Sequence, residues 1–473
     1  MQQAKSLKLG NKKEVNMLSG SIMKGVMTIA IPIMIMNVLQ SLFNIIDKTI
    51  LKMYDTDGGY SVGAVGVSGS LISLITGLVI GVSAGANVVI ARYIGKGDKD
   101  GVEKSVSTAL IFSVISGVVL LLVGVIFAYP FMRMLNCDPD LLDGAALYFR
   151  MYFLGVPILM FYNFSAAILR SSGNSRSPMI YLTIGGVIKV VLTFLFVAVL
   201  KMQIVGVALA TIISWLTSAV LAGVALVRDG GVLKINFKKF RIYGEQLKEM
   251  LRIGIPTGLQ QALYSIANVI IVSTVNTYGK AATTGISIAN DFDGILYQIS
   301  TAPALAIMPY VSQNIGAKNM KRAKEAIWKG MLLTIMLGGG LGALSAIFSA
   351  QLASIESANP EVIKFAQQKM ILVSSTYFIC GINEILGAGL KGMGKPLIPM
   401  ISTMIFMCGI RFPWVWFVFP LCPNMTFLYA IWPIGWVLSI AMVVSFLIPT
   451  AKKIQRKIDA EKKIEQEQGE VIA

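Results

Sequence analysis

Six of the charged side chains within the apolar runs of this 473-residue sequence stand out as candidates for chemistry: Asp47, Lys189, Asp291, Asp293, Glu384 and Arg411. A carboxylate held away from water binds a proton or a sodium ion reversibly, and a neighbouring cationic side chain competes for the same oxygen atoms. The chain has no histidine, which removes the usual general base and imidazole metal ligand together. Gly95-Lys96, Gly279-Lys280 and Gly394-Lys395 each lack the following Ser or Thr of a nucleotide-phosphate loop. Cys137, Cys380, Cys408 and Cys422 have no metal or redox spacing and read as independent free thiols. These residues offer ion binding and charge pairing; they predict no enzyme, no metal centre and no cofactor.

The elements that carry these charges are membrane helices. Hydrophobic residues make up 55% of the chain and charged ones 14%, against about 25% charged in a soluble domain. The mean hydropathy is +0.72. Apolar runs of about 20 residues cross a bilayer as helices, and twelve are predicted: 22–51, 62–91, 105–129, 145–169, 178–200, 203–227, 251–277, 283–312, 327–350, 363–389, 397–420 and 427–449. The expected fold is an all-α integral membrane protein. Its expected parts are an N-terminal segment 1–21, an N-lobe 22–227, a linker 228–250, a C-lobe 251–449 and a basic tail 450–473.

The chain also repeats itself. Leu169, Arg170, Gly173, Pro178, Met179 and Ile180 return 221 residues later as Leu390, Lys391, Gly394, Pro399, Met400 and Ile401, while Pro32 returns as Pro256 at an offset of 224. Six spans per half set both copies the same way up, as a parallel repeat. With the N-terminus inside, 31 of the 41 lysines and arginines fall on the inner side and five on the outer, which predicts cytoplasmic termini. The net charge of +17 thus serves topology and anionic lipid, with no reason to invoke nucleic acid.

Further motifs narrow the reading. Ile46-Asp47 lies late in the first span, Ala64-Val-Gly-Val-Ser-Gly69 opens the second, and Ser312-Gln-Asn-Ile-Gly-Ala-Lys-Asn319 precedes a basic helix. With the two Gly-x-x-x-x-Pro-Met turns, these make the chain resemble the multidrug and toxic compound extrusion (MATE) transporters, the bacterial DinF-like branch more than the NorM-like one. The resemblance covers about residues 20–450. It implies two lobes around a central cavity that opens alternately to each side of a bacterial inner membrane. It implies export of amphipathic, often cationic, drug-like compounds by a monomer, in exchange for protons or sodium as coupling ion. The same superfamily includes flippases of lipid-linked oligosaccharides and lipid precursors, the alternative function.

Several site roles follow from that resemblance. Asp47 is the expected ion-coupling carboxylate, with a pairing to Lys48 or Lys52 as the alternative. Related transporters carry Asn-x-x-x-Asp in the fifth span, and alignment on Pro178-Met179 puts Lys189 and Thr193 there. Lys189 either pairs with Asp47 until a cation displaces it or locks the lobe structurally. In the C-lobe a glutamate of the NorM-like branch is replaced by Tyr264. Asp291, Asp293, Glu384 and its N-half equivalent Asn163 complete the expected substrate-binding set, forming a negative cavity, with Arg411 as the partner of Glu384 if that glutamate is structural. Asp291 and Asp293 point about 200° apart on a helix, so only one faces a common cavity. Pro32 and Pro256 are either hinges or static kinks.

Overall fold

The computed structural model describes residues 15–54, 59–135, 137–229, 231–236 and 239–472. Residues 1–14 of the expected N-terminal segment, positions 230, 237 and 238 of the linker and the last residue of the tail lie outside the described residues.

Without water to satisfy N–H and C=O groups, an apolar chain in a bilayer must close its hydrogen bonds within each segment, and helices do so. The first half forms α1 (Ile22–Met53), α2 (Tyr60–Lys96), α3 (Lys99–Ile126), α4 (Ala128–Met134), α5 (Pro139–Leu154), α6 (Val156–Ser171), α7 (Arg176–Thr193) and α8 (Gln203–Val227). The second half begins with α9 (Gly244–Asn276), α10 (Lys280–Gly316), α11 (Met320–Thr334), α12 (Gly340–Ile347) and α13 (Ser349–Glu356). It continues with α14 (Pro360–Lys369), α15 (Tyr377–Gly392), α16 (Leu397–Thr403), α17 (Arg411–Pro413), α18 (Met425–Tyr429) and α19 (Ile431–Ile472). Side-chain caps close several starts: Ser21, Asp98 and Asn319 each accept from a backbone N–H of the first turn.

Among the described residues nine helices are long and apolar enough to cross a membrane, or eleven when each of two bent pairs counts as one span. The count of twelve is therefore not reached on length and composition. The missing run is 283–312, which lies in the 37-residue α10. That helix carries Asn290, Asp291, Asp293, Gln298, Gln313 and Asn314 and is too polar to qualify by hydropathy. The bent pairs restate the repeat. α5 and α6 meet at 45° around Gly155, and the span that includes α14 and α15 bends by 44° at its break; Thr376, the cap of α15, stands 221 residues after Gly155. The tail is helical and continuous with the last span, since α19 runs unbroken for 42 residues through position 450. Lys318 pairs with its Glu461 and Glu465 at 3.1 and 2.6 Å, and those carboxylates raise the Lys318 pKa.

The two halves meet most tightly through α2 and α9. Side chains are absent along the seam: a Cβ on Gly81 would stand 2.2 Å from the Gly258 Cα, and one on Gly85 2.2 Å from the Met250 carbonyl oxygen. These glycines allow backbone-to-backbone contact that no other residue permits. Polar clasps tie the same end of the bundle, where most lysines and arginines gather. Arg92 pairs with Glu249, Ser312 donates to the Val88 carbonyl at 2.7 Å, and Gln313 donates to the Ser171 carbonyl at 2.8 Å. Arg322 donates to the carbonyls of Met17, Ser19 and Gly20 at 2.7–3.0 Å, fastening the chain ahead of α1. Further along α9, Tyr264, Asn268 and Val272 face a cavity. The halves are joined at the basic end.

Candidate functional site

Two helix faces build the first polar cluster. Asn44 and Asp47 are three apart on α1, and Lys189 and Thr193 four apart on α7, so each pair shares one face. α1 and α7 pack side by side. Asp47 is only 5% exposed. The Lys189 ammonium lies 2.5 Å from Asp47 Oδ2, the Thr193 hydroxyl donates to Oδ1 at 2.9 Å, and Lys189 also donates to Asn44 Oδ1 at 3.2 Å. Neither Lys48 nor Lys52 forms an ion pair with Asp47 among the described residues. Both carboxylate oxygens are thus engaged by groups that a bound cation would have to replace.

The second cluster surrounds a cavity of about 380 Å³ in the other half. Asp293, 4% exposed, is held by Lys369 at 2.8 Å and accepts from the Ser374 hydroxyl at 2.7 Å. Lys369 also reaches Asn290. Asp291 is exposed on the other side of α10, as the angle between the two aspartates requires. Glu384 does not line the cavity; it accepts from the Tyr264 hydroxyl at 2.8 Å and stands behind that ring. Arg411 is not its partner. The guanidinium, in a residue 2% exposed, donates to Asn268 Oδ1 at 2.9 Å and lies 5.0 Å over the Trp432 ring. Asn163 stays in the first half, its amide donating to the Leu159 carbonyl of its own helix at 2.9 Å. The lining of this cavity holds one carboxylate, Asp293, and two cations, Lys369 and Arg411.

Pro32 and Pro256 lie inside the unbroken helices α1 and α9. Pro256 sits between Gly254 and Gly258, within the seam that joins the halves. Lys369 escaped the sequence reading because it stands near the start of the tenth predicted run, where it passes for a span-end charge. Asn44 and Asn268 escaped as well, although their separation of 224 equals that of Pro32 and Pro256. That equality was the available signal.

The asparagines expose a duplicated site. Asn44 accepts from Lys189, and Asn268 accepts from Arg411. Lys189 and Arg411 are 222 apart, one more than the offset of Pro178 and Pro399. A π-helical segment, Met404–Gly409, lies between Pro399 and Arg411, whereas in the first half the stretch from Pro178 to Lys189 is regular α-helix and the π segment Phe194–Val199, which follows Lys189, answers Trp414–Val418. A π-turn adds one residue to a helix and so accounts for the shift. The position of Asp47, advanced by 224, is Ile271.

The Asp293–Lys369 pair yields a stability prediction. Asp293→Asn leaves a buried ammonium without its counter-ion and should cost about 3–5 kcal/mol. Thermal unfolding of the purified protein should fall accordingly, while the double change Asp293→Leu with Lys369→Met should recover most of the loss. Equal unfolding temperatures for wild type and Asp293→Asn would contradict a tight pair.

Known proteins carry the same architecture. The chain is 26% identical over 401 residues to the Bacillus subtilis protein named "Probable multidrug resistance protein YoeA", covering 83% of this chain and 86% of that one. It is 24% identical over 401 residues to "Probable multidrug resistance protein YpnP" of the same organism, covering 85% and 89%. A solved structure described as the outward-facing conformation of a multidrug resistance MATE family transporter superposes with a TM-score of 0.86 at 22% identity, over 94% of this chain and 99% of that one. The family model MatE matches twice, at residues 32–195 and 256–417, so that the two matches start at the paired prolines. Its double match spans most of both halves, and the chain belongs to the MatE family of membrane transporters.

Proposed function

We propose that this protein is a secondary active multidrug exporter in which a proton or sodium ion, moving inward at Asp47, drives amphipathic compounds outward by alternating access. The buried Asp47–Lys189–Thr193 cluster carries the reading. Two states that differ in their affinity for the ion are needed for coupling, and this cluster supplies the difference. When a proton or sodium ion neutralises Asp47, the Lys189 ammonium loses its counter-ion inside the membrane. That arrangement is costly, and the cost is relieved when α1 and α7 rearrange. The basic end is taken as the cytoplasmic side, by the excess of lysine and arginine there. The structure then corresponds to a state closed to the cytoplasm.

Pro32 and Pro256 are proposed as the places where α1 and α9 bend between states, Pro256 because it lies within the glycine seam. The guest is assigned to the cavity of the second half, whose volume of about 380 Å³ lies within the range of drug-sized sites. A lipid-linked precursor would need several free cations for its pyrophosphate, and this lining leaves one, Arg411, without a carboxylate among the described residues.

The test uses everted membrane vesicles and two aromatic dyes of opposite charge, ethidium and pyrene-1-sulfonate, under separately imposed proton and sodium gradients. Gradient-driven accumulation of either dye, dependent on this protein, is expected, and the gradient that works names the ion. Failure of both gradients with both dyes would overturn the proposal.

A further inference from the structure

The cavity of the second half contains a cation, Arg411, that no described carboxylate balances. Lys189 and Arg411 occupy equivalent places in the two halves, each held by an equivalent asparagine. In the first half Asp47 completes the pair; in the second the matching residue is Ile271, fully buried and apolar. No described carboxylate forms an ion pair with Arg411, and Asp293, the carboxylate in the lining, is taken by Lys369. A guanidinium at 2% exposure with one amide oxygen and one ring face as its partners has donors to spare. Burying such a group is costly unless an anion meets it.

The surroundings say what kind of anion fits. Arg411 lies over Trp432, and Tyr264, Tyr297, Tyr377 and Trp436 share the lining. Flat rings stack against such walls, and the guanidinium edge presents two parallel N–H donors to a planar or tetrahedral oxyanion. We propose that Arg411 anchors the carboxylate, sulfonate or phosphate of an aromatic organic anion, the missing counterpart of Asp47 being supplied by the guest. Guest and ion are then handled by the two copies of one ancestral site: the first half keeps its carboxylate and exchanges a cation, and the second has lost its carboxylate and receives an anion. This specificity rests on the assignment of the guest to the second-half cavity.

The test is a binding series on the purified full-length protein by titration calorimetry, with no gradient present. The probes share one ring system and differ in charge: naphthalene-2-carboxylate, naphthalene-2-carboxamide and naphthalene-2-methylammonium. The carboxylate is expected to bind about 10- to 100-fold more tightly than the amide, the range of a charge-assisted hydrogen-bonded pair, and the ammonium least tightly. Arg411→Gln should bring the carboxylate to the level of the amide, and Arg411→Lys should keep part of the preference. Ile271→Asp, which installs the carboxylate of the first half and keeps the arginine, should abolish the preference too. Equal affinity for carboxylate and amide in the wild type, a preference for the ammonium, or an unchanged preference in Arg411→Gln would overturn the proposal. A carboxylate preference without gradient-driven transport sinks the exporter reading alone; gradient-driven transport without that preference sinks only the anion site.

Discussion

Gly85→Val is expected to stop transport by holding the basic end of the bundle open. The Cβ of any residue at this position would stand 2.2 Å from the Met250 carbonyl oxygen, a backbone atom that no rotamer change can move. α2 and α9 must then separate over the stretch that closes the cavity from that side. Overpacking of this kind costs about 1–3 kcal/mol, which shifts a two-state balance roughly 5- to 150-fold away from the closed form. A cysteine introduced at Gln261, a cavity-lining position with the native cysteines replaced, reports the opening. Its labelling by an impermeant thiol reagent from the basic side should rise in Gly85→Val as gradient-driven transport falls. Gly66→Val is the control, because a Cβ there meets nothing within 4 Å. Unchanged labelling and transport in Gly85→Val would mean that the seam is not the closure.

The scaffold was legible because duplication and membrane insertion both leave patterns along the chain. Pro32 and Pro256 mark the start of both family matches, and the apolar runs mark eleven of the helices. The predicted run 283–312 coincides with α10, whose hydropathy is lowered by polar residues and twenty of whose positions are buried in the protein. The pairing of charges was less legible. Which residues meet depends on the face that each helix turns inward, and one π-turn rotates that face by about 100°. The extra residue ahead of Arg411 therefore hid its equivalence to Lys189 from any fixed offset. Glu384 could be assigned Arg411 from sequence, but in the fold a tyrosine one helix away meets it first. Lys369 meets Asp293 because α14 packs against α10, a neighbour relation that no spacing along the chain announces.

Asp47→Asn is expected to separate coupling from movement. The amide keeps the size of the side chain and can still meet Thr193, whose hydroxyl lies 2.9 Å from Asp47 Oδ1. It cannot bind a proton or balance Lys189. The change therefore removes the group whose ion occupancy differs between states. Because Lys189 is then left without a carboxylate, as if the ion were always bound, the balance between states should no longer respond to a gradient. A loss of at least about 100-fold in gradient-driven transport is expected, the scale on which removal of a buried charge partner acts. Lys189→Met tests the other member: without the competing ammonium, Asp47 should bind its ion more tightly and release it more slowly.

The central claim is that Asp47 couples an inward ion to outward transport. It is tested most directly in proteoliposomes by comparing two readouts for wild type and Asp47→Asn: accumulation of the dye that the wild type transports under an imposed ion gradient, and exchange of the same dye with no gradient. Lost accumulation with retained exchange is the predicted result. Gradient-driven accumulation at the wild-type level in Asp47→Asn would contradict it.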